Sequence, residues 1–447
     1  MSPVTASPRL AATAAGAAPA GATTRAPGNP AGSLLPRLLP PAGHPGGDLS
    51  AHLGRHGPLP YRGAPRLLIP DVRAAALTGR GGAAFPVHRK LAAVVAAPGR
   101  PIVVGNGAEG EPASDKDKTL LRAAPHLVLD GLQLAAEAVH ADSAVLYVCC
   151  DPWVRQRLEG LIAERAARGL DHLPVSLVAA PARFLAGQES ALVSRLSGGA
   201  ALPAFTPPRV FESGVDGRPT LVQNVETLAH LALIARYGPG WFRAAGTPAE
   251  PGTMLCTLHQ ADGSAAVAEA FIGTPLASLL SLGAAQAVLV GGYHGAWIPA
   301  AQAAGLPLSN AALRPLGAFV GAGVLAALPA DRCGLAETAR VARYLALESA
   351  GQCGPCLNGL PRIAAALAQL AGPRPRPQVL AQLSRWAGLV EGRGACHHPD
   401  GTVRFVHSAL RTFAPEIRRH QQGGCSAASD RPFLPVPAGP AAEADWS

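Results

Sequence analysis

The stretch Gly79-Arg80-Gly81-Gly82-Ala83-Ala84-Phe85 constrains this chain more than any other. Its small residues let backbone N–H groups come close to a phosphate. Lys90 follows, and Pro101-Ile102-Val103-Val104-Gly105 reads as a buried strand delivering a second loop, Asn106-Gly107-Ala108-Glu109-Gly110-Glu111-Pro112. A glycine-rich turn, a cation and a polar loop at a strand end suit a phosphorylated cofactor at the rim of an α/β sheet. Taken alone, such a turn is equally a common tight connection. Arg80 and Lys90 could neutralise a phosphate. Asn106, Glu109 and Glu111 could hydrogen-bond the rest of the molecule.

Of 38 basic residues only three are lysine, namely Lys90, Lys116 and Lys118, and all flank these two loops. Lysines that persist among so many arginines read as needed for themselves; chance clustering is the alternative. The net charge is +9. Its arginines are dispersed and aromatic platforms are few, which argues against nucleic acid. Acidic protein partners or phosphorylated cofactors explain the charge better. No apolar run is long enough to cross a bilayer, so no direct membrane insertion is expected. Residues 1–55 are rich in Ala, Pro and Gly without an export signal, and read as a disordered extension of a cytoplasmic protein. Without export, disulfides are not expected among the eight cysteines. Cys149, Cys150 and Cys256 end or sit in apolar runs and read as core; Cys353, Cys356 and Cys396 need another account.

Strand and helix patterns alternate through residues 56–245, which predicts an α/β domain. Helices are expected over Ala124–His140 and Trp153–Arg168, and strands over Ala144–Cys149 and Pro174–Val178. Residues 246–330 read as a small α+β unit, with Thr274 and Pro275 opening a short helix to about Ser281. Residues 331–422 read as a four-helix bundle, with helices at Leu335–Glu348, Leu360–Ala371, Pro377–Leu389 and Val403–His420. Residues 423–447 read as a flexible tail.

Two further segments sharpen the first two: Gly187-Gln188-Glu189-Ser190-Ala191-Leu192 and Arg218-Pro219-Thr220-Leu221-Val222-Gln223-Asn224-Val225-Glu226-Thr227. In this order, the four segments resemble the family of flavin-carrying, NADH-binding subunits found in respiratory complex I and in NAD-linked hydrogenases and formate dehydrogenases. The resemblance covers residues 60–420. It implies an FMN-binding Rossmann-like α/β domain, a ubiquitin-like β-grasp domain and a helical bundle carrying a [4Fe–4S] cluster. It implies that FMN is held by Gly79, Arg80, Gly81, Gly82, Lys90, Asn106, Glu109, Gly110, Glu111, Gly187, Glu189, Asn224 and Thr227, with Phe85 helping to hold NAD(H). Hydride passes from NADH to the flavin, and then electrons pass to a redox partner such as an iron–sulfur subunit. No side chain need act as acid or base, so no catalytic residue is assigned.

The same resemblance places cluster ligands at Cys353, Cys356 and Cys396, within Glu348-Ser349-Ala350-Gly351-Gln352-Cys353-Gly354-Pro355-Cys356 and beyond. Where the family has a first cysteine, this chain has Ala350. A cluster with a foreign ligand, from His397 or His398 or water, a three-iron cluster, or no cluster are the open outcomes. A bare C-x-x-C is also half a zinc site. Ala108, Gln188 and Arg209 replace the family's aspartate, glutamate and adenine-stacking aromatic, and Leu91–Val94 lacks a second such aromatic. An FMN-binding homologue re-purposed for docking or electron transfer, with impaired NADH oxidation, is the alternative reading.

Overall fold

The structure is a computed structural model describing residues 36–41, 47–149, 152–437 and 446. Its first sheet has four parallel strands: β1 (Ile102–Gly107), β2 (Ser143–Val148), β3 (Val175–Ala179) and β4 (Thr220–Asn224), in spatial order β3-β2-β1-β4. The chain builds outward from β1 to β3, then returns to add β4 on the other side of β1. Helices Pro125–Val139 and Val225–Arg243 pack together against this sheet. The first is buried on nearly every face and mostly apolar, with buried His126, Asp130 and Gln133 as its polar exceptions. Gly131 allows the contact, because a Cβ there would lie 1.9 Å from the Leu228 carbonyl oxygen. Val225–Arg243 is kinked at Gly238, just before Pro239. The expected helices and strands of this domain are present.

The second sheet is mixed, with order β6-β5-β9-β7-β8. It comprises β5 (Thr253–His259), β6 (Ala265–Phe271), β7 (Ala285–Val290), β8 (Ala296–Pro299) and β9 (Val324–Pro329). β5 and β9 run parallel at its centre and the other neighbours are antiparallel. The helix expected after Thr274 is absent. Pro275 bridges Pro307, and Leu276 N–H donates to the Leu306 carbonyl, which pins the chain extended and leaves only 3₁₀ turns at Leu276–Ser278 and Leu282–Ala284.

Helices Gly334–Leu347, Leu360–Ala371, Val379–Val390 and His398–Thr412 form the bundle around one apolar core. The expected helix to His420 is two helices, because a second one, Ala414–Gln421, starts afresh after Phe413. Pro415 has no N–H to continue the first ladder.

Both ends of the chain are more structured than their composition suggests. Arg37 and Leu38 N–H groups donate to Glu269 Oε2, Leu38 is fully buried, and Leu49–His56 is a helix capped by Asp48. The disordered extension therefore does not run to residue 55; residues 1–35 lie outside the described residues, as does Cys150. In the tail, Phe433 and Leu434 N–H groups donate to Glu337, and Trp446 is buried beneath Arg183.

Candidate functional site

The switch in strand order falls between β1 and β4, and Asn106 and Asn224 are register partners at their carboxyl ends. In open α/β sheets a ligand crevice opens at such a point. All four singled-out segments meet there. Asn106 Nδ2 donates to the Gly187 carbonyl at 2.8 Å, and Arg80 N–H donates to Thr227 Oγ1 at 2.8 Å. Lys90 Nζ donates to Glu189 Oε1 at 2.6 Å and to the Val222 carbonyl at 3.0 Å. A Cβ on Gly81 would lie 3.2 Å from Asn224 Cβ, and one on Gly187 would lie 3.3 Å from Ala108 Cβ. Phe85 stands exposed at the end of the glycine loop, and Gly82 holds φ at +109°, a value that suits glycine.

Several candidates are placed differently from the sequence reading. The Arg80 guanidinium is buried and donates to the Thr253, Pro251 and Thr78 carbonyls and to Thr78 Oγ1. It fastens the glycine loop to the start of β5, whereas the Lys90 ammonium stays among the crevice segments on Glu189 and the Val222 carbonyl. Glu109 accepts from Asp117 N–H, Lys118 N–H and Ser114 Oγ, so its carboxylate caps helix Lys116–Ala123. Glu111 points to the second sheet, where Oε2 accepts Tyr293 N–H. Burial pushes its carboxyl up to about 8, and Oε1 has no partner. Asn224 caps helix Val225–Arg243 through Glu226 N–H, while its Nδ2 donates to Asp117 Oδ2 at 2.7 Å.

A buried charge cluster lies beneath Asn224. Lys116 Nζ sits 2.7 Å from Asp117 Oδ1 and 2.8 Å from Glu226 Oε2. Burial opposes the Lys116 charge, but the two carboxylates outweigh it and hold the ammonium above its usual pKa. The lysine cluster near the loops was the sequence signal for this floor. Gln223 was missed; its Nε2 is buried without a partner at the residue before Asn224. Phe205 was also missed. It is 73% exposed, and the preceding Ala204 exchanges hydrogen bonds with Ser190 of the Gly187–Leu192 segment.

In the bundle, Cys353 and Cys356 are in sulfur contact and Cys396 lies beside them. Cys356 sits in a π-helical turn, Pro355–Gly359, a geometry that recurs at functional sites. Burial, then the neighbouring thiols, push Cys356 up to about 12. Ala350 packs at the edge of a small cluster formed by Leu185, Ala186, Ala201 and Trp446. His398 is turned into the bundle, with one ring nitrogen against the Leu345 carbonyl and the other against His294. It is thereby withdrawn from the thiols, whereas His397 is exposed. The buried Arg183–Glu348 pair, at 2.9 Å, joins this loop to the segment leading to Gly187.

Residues 72–233 match the Nuo51 FMN-binding domain, and residues 336–420 match the NADH-ubiquinone oxidoreductase-F iron–sulfur binding region. Both matches, in this order, are those of NADH-quinone oxidoreductase F subunits, the family that this chain resembles. The chain is 29% identical over 383 residues to the NADH-quinone oxidoreductase F subunit of Streptomyces coelicolor, covering 81% of this chain and 85% of that one. It is 28% identical to one of two such proteins of Rhizobium meliloti, over 80% of this chain and 89% of that one. A chain of the NAD+-reducing [NiFe]-hydrogenase in its H2-reduced state superposes with a TM-score of 0.71 at 28% identity over 82% of this chain. This chain spans 63% of that hydrogenase chain's length.

The residues present fit the two groups that this family implies. For FMN, the fit rests on the glycine cradle at Gly81 and Gly187, the Lys90 ammonium and the unpartnered Gln223 amide. For the iron–sulfur cluster it rests on the Cys353–Cys356 sulfur contact with Cys396 near it, while Ala350, which stands at the family's first cysteine, packs on the apolar cluster of Leu185, Ala186, Ala201 and Trp446.

Proposed function

We propose that this chain oxidises NADH through FMN in the crevice and passes the electrons to a cluster held by Cys353, Cys356 and Cys396, and from there to a redox partner. The observation that carries the reading is the Asn106–Asn224 register pair, which gathers four separate segments at one strand-switch crevice. When bound, FMN accepts a hydride and releases electrons singly, and a cluster accepts them one at a time.

The chain's own residues bind and orient. Lys90 supplies the positive charge for the flavin phosphate, with Glu189 steering its ammonium. The backbone of Gly79–Gly82, with Asn106, Gly187, Gln223, Asn224 and Thr227, encloses the remainder. Phe85 and Phe205 are exposed rings on two of the crevice segments, and in this reading they flank the dinucleotide. Arg209, exposed on the same loop as Phe205, supplies a cation for its phosphates. Leu357, 61% exposed and next to Cys356, marks the face where an iron–sulfur partner protein docks. No helix among the described residues is long and apolar enough to cross a membrane. We place the chain in the cytoplasm, peripheral to any membrane-bound partner.

Ala350 and Arg209 favour one other reading, an FMN-binding homologue that no longer uses NADH. An anaerobic absorption spectrum before and after NADH, with iron and acid-labile sulfide measured on the same sample, decides between them. Bleaching of a flavin band supports NADH oxidation. A yellow protein that NADH leaves unbleached overturns it.

A further inference from the structure

A second group of metal-ligating side chains lies apart from Cys353, Cys356 and Cys396. Cys333, Glu416, His420 and Cys425 each offer one donor atom, and these atoms all lie within 4.8 Å of one another. His420 Nε2 is 3.5 Å from Cys333 Sγ and 3.2 Å from Glu416 Oε1. Cys425 is in side-chain contact with both Cys333 and Glu416. Cys333, Glu416 and His420 are buried and Cys425 is exposed.

The local sequence builds this arrangement. Glu416 and His420 are four residues apart on helix Ala414–Gln421, so both project from one face. Cys333 is the N-cap of helix Gly334–Leu347, where its sulfur accepts Ala336 N–H. Cys425 arrives on the turn after Gln421. Ser426 N–H fixes Glu416 Oε1 at 2.7 Å, the kind of outer hydrogen bond that orients a ligating carboxylate. An open cavity of about 540 Å³, lined by Cys333, His420 and Cys425 among others, gives access.

We infer that Cys333, Glu416, His420 and Cys425 form a mononuclear site for a thiolate-preferring divalent cation, with zinc the best match. Donors about 2.0–2.3 Å from one tetrahedral ion lie roughly 3.3–3.8 Å apart; the His420 separations of 3.5 and 3.2 Å are close to this, and all four donors lie within 4.8 Å. A cluster that takes one ligand per iron needs donors spread more widely. Two sulfurs, one imidazole and one carboxylate fill four positions, so the site is structural and keeps none open for a substrate. It clamps the chain after Gln421 onto the start of helix Gly334–Leu347, ahead of Phe433 and Leu434, which dock on Glu337 of that same helix.

Cobalt(II) titration of the full-length protein, reduced and free of oxygen, tests this site. The background is Cys353→Ser/Cys356→Ser, so that the other thiols do not compete. One equivalent should bind, with a thiolate-to-cobalt charge-transfer band and the strong visible bands of tetrahedral cobalt. Adding Cys425→Ser, an exposed change that leaves the core intact, should weaken binding at least as much as losing an outer-shell partner, about 10–100-fold. His420→Ala should do the same. Zinc should raise the denaturation midpoint of the background protein and not that of the Cys425→Ser variant. Cobalt bands that survive Cys425→Ser unchanged overturn the site. So does reduced protein that takes up no cobalt.

Discussion

The crevice at the ends of β1 and β4 and the thiol loop of the bundle are the two proposed sites for a redox group, yet they depend on their residues in different ways. Four segments far apart in sequence build the crevice, and a strand register together with backbone contacts sets their positions. The family's residue is replaced there at Gln188 and Ala108, and the geometry survives. Gln188 still caps helix Glu189–Leu196 by accepting Ala191 N–H, and Ala108 packs fully buried beside Gly187. The thiol loop is one short turn plus Cys396, with one sulfur per position. A single replacement, Ala350, removes a ligand outright because no backbone group can stand in for a thiolate. Distributed sites tolerate substitution, and ligand-counted sites do not.

The largest expected break in that comparison comes from below the crevice. Lys116→Met leaves the Asp117 and Glu226 carboxylates buried without their cation. Removing one partner of a buried pair costs about 3–5 kcal/mol. Chemical denaturation should show a loss of that order, and FMN content should fall, because Asp117 also positions the Asn224 amide. If stability and flavin content both hold, the crevice does not rest on this floor.

Next is a pH effect where the Asn106–Pro112 loop meets the second sheet. Burial holds the Glu111 carboxyl at about 8 against an ordinary 4.5, so the folded chain keeps a proton that the unfolded chain has lost. The resulting stability is full below pH 4.5 and disappears as pH rises through about 8. Within that window the loss approaches about 1.4 kcal/mol per pH unit at most. Glu111→Gln keeps a neutral group of the same shape and should flatten the slope, as read from urea midpoints between about pH 5 and about pH 8. An unchanged slope would place the titrating group elsewhere.

These two residues also show how far the sequence could be read. Asn106 was legible because it follows an apolar strand that local pattern reveals, and Asn224 through the resemblance that its segment carries. The partners of the charged residues were not. Arg80 spends its guanidinium on Thr253 and Pro251, more than 170 residues away. Glu111 faces Tyr293, 182 residues on. No local periodicity encodes such contacts. The ends of the chain failed for the same reason, since Arg37, Leu38 and Trp446 are ordered by distant partners rather than by their neighbours in sequence. Composition marked Lys116 as unusual without revealing that it is buried.

A smaller effect separates dinucleotide binding from flavin binding within the crevice. Phe205→Ala removes an exposed ring held beside Ser190. Base stacking on an aromatic is worth about 1–3 kcal/mol, so the apparent NADH affinity should fall roughly 5- to 150-fold. FMN content should stay the same. Equal NADH affinity in the variant would assign the adenine to other residues, Phe85 and Arg209 first among them.

The smallest change to the protein is one sulfur atom, introduced by Ala350→Cys. Ala350 is partly buried at the edge of a small cluster of Leu185, Ala186, Ala201 and Trp446. A cysteine there adds little volume, and folding stability should shift by less than about 1.5 kcal/mol, as for other near-isosteric changes. If the three thiols hold a cluster with one open corner, a fourth thiolate closes it. Iron and sulfide per chain should then rise toward four, and the cluster should bleach more slowly in air, with flavin content unchanged. Cys356→Ser is the opposite control and should remove most of the iron while leaving the flavin. If Ala350→Cys adds no iron, the packing of Ala350 on the cluster of Leu185, Ala186, Ala201 and Trp446 holds this position away from the thiols. The bundle would then have lost the geometry of a four-ligand site along with the ligand, while the crevice has lost side chains and kept its geometry.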